Sequence, residues 1–205
     1  MKNIRRAIVA ALLGIPLLLP AEARAIATGA CDPDLPGLCT ISVQLTGNTL
    51  TITLANTSPA ANGGYITADA FNIGTAQLLA GSFSTTDSGF GLFGSTSVSP
   101  YGTRDTLISS TNGQWLGGGS PSGGIGVGEA ATFTLSFASL GGLTEHSVLA
   151  SSLVRFRGFL DGDSDKDLVT RVAMPEIGSL PLLVLGLTGL GVLWRRSALR
   201  RHARR

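Results

Sequence analysis

Between Ile41 and Leu54 apolar and polar positions alternate: Ile41, Val43 and Leu45 against Ser42 and Gln44, then Leu50, Ile52 and Leu54 against Thr51 and Thr53. A period of two sends successive side chains to opposite sides of a strand, so each stretch reads as a strand with one apolar and one hydroxyl-bearing side. Gly47-Asn48 lies between them and tolerates the positive φ of a tight hairpin link. The pair is expected to be antiparallel and to lie on the outside of a sheet. Asn56-Thr57-Ser58-Pro59 and Asn62-Gly63-Gly64 then end the hairpin with turn chemistry.

Tyr65 to Ile73 reads as a third strand with Phe71 inward. Alternation returns with Phe133, Leu135 and Phe137 against Thr132, Thr134 and Ser136, and Leu153 to Leu160 reads as another strand. Leu143 to Ser151 is expected to form one short helix. From Gly89 to Gly128 the pattern loosens into apolar islands at Leu92-Phe93, Leu107-Ile108 and Trp115-Leu116. Gly117 to Gly124 reads as a flexible loop, and Gly124 to Gly128 as a turn into the next strand. Short strands, frequent turns and no long helical period predict an all-β domain, an antiparallel β-sandwich of jelly-roll-like kind.

Both ends of the chain break this pattern. Lys2, Arg5 and Arg6 precede an apolar run from Ala7 to Pro20, and Ala23-Arg24-Ala25 has the small-x-small form that signal peptidase accepts. Residues 1–25 are therefore expected to be a signal peptide cleaved after Ala25. At the other end, Ile177 to Trp194 holds 18 residues without an ionisable group. That is the lower limit for a helix crossing a hydrocarbon core of about 30 Å. Arg195, Arg196, Arg200, Arg201, Arg204 and Arg205 follow, a charge cluster that would stay on the cytoplasmic side. The expected organisation is a signal peptide over 1–25, a β-sandwich domain over 26–173 and a membrane-inserted segment over 174–205 with one transmembrane helix.

The tail, with Met174-Pro175-Glu176, a helix rich in Gly and Leu from Gly178 to Trp194 and then Arg195-Arg196, resembles the PEP-CTERM sorting signal of exported bacterial proteins. Ile177 stands where that family has its second proline. The resemblance covers the last 32 residues. It implies transient retention in the inner membrane, removal of the tail by a membrane-embedded cysteine protease of the exosortase type, and a final place at the cell surface or outside the cell. An ordinary permanent anchor is the alternative. The Thr-rich hairpin, the Asn-Thr-Ser-Pro turn, the strand starting at Gly128-Glu129 and Arg155-Phe156-Arg157-Gly158 also resemble β-sandwich domains carried by PEP-CTERM proteins, a likeness that implies no activity.

Charge changes the picture once the ends are set aside. The whole chain carries +2, but ten of its 15 cations lie in the two terminal segments. From Ile26 to Met174 there are 11 acids against Arg104, Arg155, Arg157, Lys166 and Arg171, a net of −6. A nucleic acid is not an expected partner of such a domain, because phosphate neutralisation needs clustered cations. Cys31 and Cys39 are the only cysteines, close behind the cleavage site, and in an oxidising compartment they are expected to form one disulfide.

Groups able to do chemistry are few. His146 is the only histidine of the domain and follows Glu145, but neighbours in sequence diverge on either a strand or a helix. No G-x-S-x-G elbow occurs, and Gly124-Ile125-Gly126-Val127-Gly128 lacks the spacing of a dinucleotide loop. No catalytic residue and no enzyme activity are therefore assigned. Asp161, Asp163 and Asp165 alternate in a manner that can supply oxygen ligands to Ca²⁺. Lys166 at the sixth position and Val172 at the twelfth exclude an EF-hand, leaving either a single open calcium loop or a solvated acidic turn beside the Pro-Glu stalk.

Two functions fit. One is an exported, non-enzymatic surface or matrix protein associated with exopolysaccharide, its Thr and Ser rows contacting polymer or accepting glycans. The other is a secreted β-sandwich that binds or hydrolyses polysaccharide. Hydrolysis needs two carboxylates flanking a cleft, and Glu129 and Glu145 are the only glutamates left in the domain. Binding by stacking would use Trp115, Tyr65 or Tyr101.

Overall fold

The alternating stretches become the middle of a twelve-strand assembly in two antiparallel sheets. The structure is a computed structural model that describes residues 26–110, Trp115 and residues 120–173, the last three by backbone alone. The expectations for the leader and for Met174, Pro175, Glu176, Arg195, Arg196 and the rest of the tail lie outside the described residues. No helix among the described residues is long and apolar enough to cross a membrane.

The chain runs through β1 (Ile26–Ala30), β2 (Cys39–Thr46), β3 (Thr49–Asn56), β4 (Gly63–Phe71), β5 (Gln77–Leu78), β6 (Ser84–Thr85) and β7 (Gly91–Phe93). It continues through β8 (Thr96–Ser97), β9 (Thr103–Arg104), β10 (Thr106–Ser109) and β11 (Ala130–Ser139). Helix α1 (Glu145–Ser151) is followed by β12 (Leu153–Phe159), β13 (Ser164–Leu168) and β14 (Arg171–Ala173). Sheet A has the order β14-β1-β2-β3-β11-β5, with β6 also on β11; sheet B has the order β13-β12-β4-β10-β7. β8 and β9 form a separate ribbon.

The predicted hairpin is β2 and β3, paired from Thr46↔Thr49 to Cys39↔Asn56. Gly47 closes its turn at φ +55°, a conformation that an L side chain adopts only with strain. The pair lies in the interior of sheet A, with its hydroxyl side outward. Ile41, Val43, Leu50, Ile52, Leu54, Phe133, Leu135 and Phe137 point the other way, into a core completed from sheet B by Ile66, Phe71, Ile108, Val154 and Phe156. Each such side chain contributes about 1.5–3 kcal/mol by leaving water, so this interface is the main source of stability.

Helix α1 packs Val148 and Leu149 into the same core. Its start is set by Thr144, whose hydroxyl accepts the Ser147 N–H while the Ser147 side chain accepts the Thr144 N–H. This reciprocal cap satisfies two amides that a helix N-terminus leaves without partners.

The centre of sheet B, in β4, β10 and the first half of β12, is buried on both sides. Ala68, Ala70, Leu107 and Leu153 face away from the main core and are covered by Val98 and Trp115. The β4–β12 register shifts between Arg155 and Phe156, leaving Thr67 as an extra residue on β4. A bulge inverts the facing of everything beyond it. Ile66 and Phe71, even and odd in sequence, consequently share one core.

Cys31 and Cys39 form the expected disulfide, with Cα atoms 5.0 Å apart. The loop that it closes is fastened elsewhere too. The Leu38 N–H donates to Ser58 Oγ at 2.9 Å, and the Asp32 N–H donates to Asp167 Oδ2 at 2.7 Å. A Cβ on Gly37 would stand 2.6 Å from the Phe156 ring, so only glycine lets the loop lie this close to the core.

Candidate binding face

Four adjacent strands of sheet A build one surface. The outward positions are Ile26, Thr28 and Ala30 on β1; Thr40, Ser42, Gln44 and Thr46 on β2; Thr49, Thr51, Thr53 and Ala55 on β3; and Ala130, Thr132, Thr134 and Ser136 on β11. Strand pairing aligns them in rows, such as Thr28–Ser42–Thr53–Thr132 and Gln44–Thr51–Thr134. Sheet geometry repeats the hydroxyls about every 4.8 Å across the strands and about every 6.8 Å along them. Some bond to each other in the plane: Thr53 Oγ1 lies 3.1 Å from Thr132 Oγ1, and Thr49 Oγ1 lies 3.5 Å from Ser136 Oγ. A hydroxyl has one donor and two acceptor positions, so each pair keeps capacity for a ligand.

The face is also without charge. β1, β2, β3 and β11 contain no Asp, Glu, Lys, Arg or His. Charged residues within the strands of the two main sheets fall on sheet B, at Asp69, Arg155, Arg157, Asp165, Lys166 and Asp167, and on β14 at Arg171. Toward one end the face is hollowed into a groove of about 470 Å³, lined by Thr28, Gly29, Ala30, Thr40, Ile41, Ser42, Thr53 and Ala55. Small residues make the hollow: Ala30 and Ala55 flank Thr40 in one row, next to the taller Thr28–Ser42–Thr53 row.

The predicted aspartates are not brought together. Asp161 and Asp163 sit on the exposed turn between β12 and β13, where Asp161 Oδ1 accepts the Asp163 N–H at 3.0 Å. Asp165 lies within strand β13, opposite Phe156, and accepts the Lys166 N–H at 2.7 Å. Among the described residues no group of three His, Cys, Asp or Glu side chains is placed to hold a metal ion. Of the two readings of Asp161, Asp163 and Asp165, calcium loop or acidic turn, the geometry described is that of an acidic hairpin turn whose second half pairs with β12.

Glu145 and Glu129 are also kept apart. Glu145 Oε1 accepts the Leu45 N–H at 3.1 Å, and Glu129 Oε2 accepts the Gly126 N–H at 2.9 Å beside Asn56. Leu45 and Asn56 lie at opposite ends of the hairpin, about 20 Å apart at roughly 3.4 Å per residue. His146 is exposed on α1. Trp115 is only 2 % exposed and stacks 6.0 Å from the Arg155 guanidinium, so it is no platform for a ligand. Tyr65 is half-buried and Tyr101 lies at the edge of exposure, neither on the hydroxyl face.

Two buried acids escaped the sequence reading. Asp69 and Asp167, each 1 % exposed, stand in one row of the inner side of sheet B, Ile108–Asp69–Val154–Asp167. Burial pushes the Asp69 carboxyl up to about 7, against a smaller downward pull from the Ser152 hydroxyl and the Leu153 amide. Burial likewise pushes Asp167 up to about 7; the Asp32 N–H opposes this, and the charges of Asp165 and Asp32 add to it. The sequence signal for Asp69 was a lone carboxylate between alanines in an apolar strand. Its inward facing needed the Thr67 bulge.

The chain matches no protein-family model, no curated protein and no solved structure. Its chemistry is therefore read from its own surface. An uncharged array of hydroxyls can exchange hydrogen bonds with a polyhydroxylated polymer.

Proposed function

We propose that this chain is an exported, non-enzymatic protein of the cell surface or extracellular matrix, sorted through its C-terminal tail and associated with exopolysaccharide. The observation that carries the reading is the charge-free hydroxyl face of β1, β2, β3 and β11, set in a domain of net charge −6. The Cys31–Cys39 disulfide supports an oxidising compartment, periplasmic or extracellular. The fold is read as a jelly-roll-like β-sandwich, supported by the core that sheets A and B share.

The position of the ends supports export through a membrane. β1 and β14 pair antiparallel with Thr28 opposite Ala173, so the chain enters at Ile26 and leaves after Ala173 at the same end of sheet A. A leader before Ile26 and a helix after Pro175-Glu176 would then stand in one bilayer without distorting the domain. Signal peptidase would cut after Ala25, and an exosortase-type protease would remove the tail. The alternative of a secreted β-sandwich hydrolase is less favoured, because Glu129 and Glu145 are far beyond the 5–9.5 Å that glycoside hydrolysis requires.

Intact mass of the protein recovered from the native host tests the sorting reading. The expected species begins at Ile26 and has lost the segment from Ile177 to Arg205. A surface protein that keeps Trp194 and the terminal arginines would replace the sorting signal by a permanent anchor. Retention of the leader in extracellular material would overturn export by signal peptidase.

A further inference from the structure

The groove on sheet A differs from the rest of its face in shape and in lining. Its floor is low and apolar, made by the Ala30 and Ala55 methyls and the Gly29 backbone. Its rim carries the hydroxyls of Thr28, Thr40, Ser42 and Thr53. A pyranose ring has the matching character, an apolar C–H face edged by hydroxyls. The volume of about 470 Å³ lies in the range of about 300–1,000 Å³ typical of small-molecule sites.

We propose that this groove is a subsite for one or two pyranose units of an uncharged polysaccharide, which would lie across strands β1 to β3. The inference rests on the matrix reading above and gives that surface a ligand class. Charge selects the class. A uronate or sulfated polymer would lose hydration on docking over four strands that carry no cation. The one cation position in the strands of this sheet is Arg171 on β14, opposite Ala30 at the groove's edge, set against a domain of net charge −6. The acidic domain would repel it at longer range as well. Nucleic acid and anionic lipid are disfavoured by the same two facts.

The Thr28–Ser42–Thr53 row continues past the groove to Thr132, so the next units of a bound chain meet further hydroxyls. Without an aromatic platform on this face, each subsite holds its sugar weakly. Affinity for a long polymer comes from repetition along the face and between neighbouring copies bound to the same polymer.

The test uses the mature secreted protein and a panel of neutral gluco-, manno- and galacto-oligosaccharides, with an oligouronate of equal length as the charged counterpart. Amide shifts on titration are expected at residues 28–30, 40–42 and 53–55 with at least one neutral sugar, and none with the oligouronate. Ala55→Leu fills the groove on a solvent-facing position; with an unchanged melting temperature it should weaken binding by roughly tenfold. His146→Ala, exposed on α1 and away from this face, should change it by less than about twofold.

Shifts spread over the face with no effect of Ala55→Leu would overturn the groove and leave the matrix reading standing. Equal binding of the oligouronate would overturn the uncharged class. If no saccharide binds and sedimentation shows self-association blocked by Ala55→Leu, the occupant is a second copy and the proposal fails. Absence of both would overturn the face as a binding surface altogether.

Discussion

Sheets A and B solve the same packing problem with opposite use of their second face. Sheet A buries one side and leaves the other to solvent, and its strands alternate apolar and hydroxyl residues accordingly. The centre of sheet B is covered on both sides, by the main core and by Val98 with Trp115, and β4 is buried at seven of its nine positions. A sheet with one wet face can be uncharged and still soluble through its hydroxyls. A sheet whose centre is dry on both faces has to place every polar group there, and sheet B holds two acids whose carboxyls burial pushes up to about 7. The free surface of the molecule is consequently on sheet A, while its electrostatic strain is in sheet B.

The sharpest contrast comes from the same substitution on the two outer faces. Leu107→Asp, under the Trp115 cover of sheet B, buries an unpaired carboxylate and removes a core side chain; it is expected to cost more than about 4 kcal/mol and to prevent folding. Thr51→Asp, on the outer face of sheet A, should stay within about 0.5 kcal/mol of wild type. Urea titration followed by circular dichroism reads the difference, with a cooperative transition for Thr51→Asp and none for Leu107→Asp. Equal costs would mean that the two outer faces are covered alike.

The link between the sheets is the disulfide loop, which leaves β1, rejoins at β2 and rests on β13 through Asp167. Replacing Cys31 and Cys39 together by alanine is expected to lower stability by about 2–3 kcal/mol, from loop closure over so short a span. Equilibrium unfolding of the oxidised wild type against the variant reads it. An unchanged midpoint would show that the hydrogen bonds of Leu38 and Asp32 hold the loop alone.

Sheet B should also carry a pH dependence. Asp69 and Asp167 have folded pKa values raised to about 7 from 3.8, so the folded state binds their protons more tightly than the unfolded state does. Their contribution is greatest below about pH 4, declines as pH rises toward about 7, and is flat above that. The groups facing Asp69 in its row, Ile108 and Val154, carry no charge, and those acting on Asp167 are Asp32 and Asp165. Thermal midpoints should fall between pH 5 and pH 8, and Asp69→Asn should flatten that slope. A slope that is the same in wild type and variant would remove Asp69 from the account.

The smallest expected stability effect is on the binding face itself. Thr53→Val removes the 3.1 Å hydroxyl pair with Thr132 but keeps shape and strand preference, so stability should change by less than about 1 kcal/mol. Loss of polysaccharide retention without loss of stability, measured on the same sample, would separate the role of the hydroxyl from that of packing.

Much of sheet A was legible in the residues. Strands β2, β3 and β11, the Gly47 turn, helix α1 and the disulfide all follow from local signals, because each couples a one-sided burial pattern or a cysteine pair to nearby positions. Strands β1, β13 and β14 were missed for lack of such a pattern. Ile26–Ala30 is short and mixed, and Ser164–Leu168 places Asp165 and Asp167 inward where alternation would put apolar residues. The aspartate run, open to a calcium loop or an acidic turn by its residues, is half strand.

By itself the sequence determined that the domain is β-rich, that hydroxyls line one side of its clearest hairpin, and that its charge is acidic between two basic ends. Tertiary structure decided where the acids went and how the hydroxyl strands combined. The Thr67 bulge turned Asp69 and Phe71 into the core, and the order β1-β2-β3-β11 joined residues more than a hundred positions apart into one face of four uncharged strands. The physical reason is that alternation sets only the facing of each strand; register and neighbour depend on how both sheets bury their apolar sides at once.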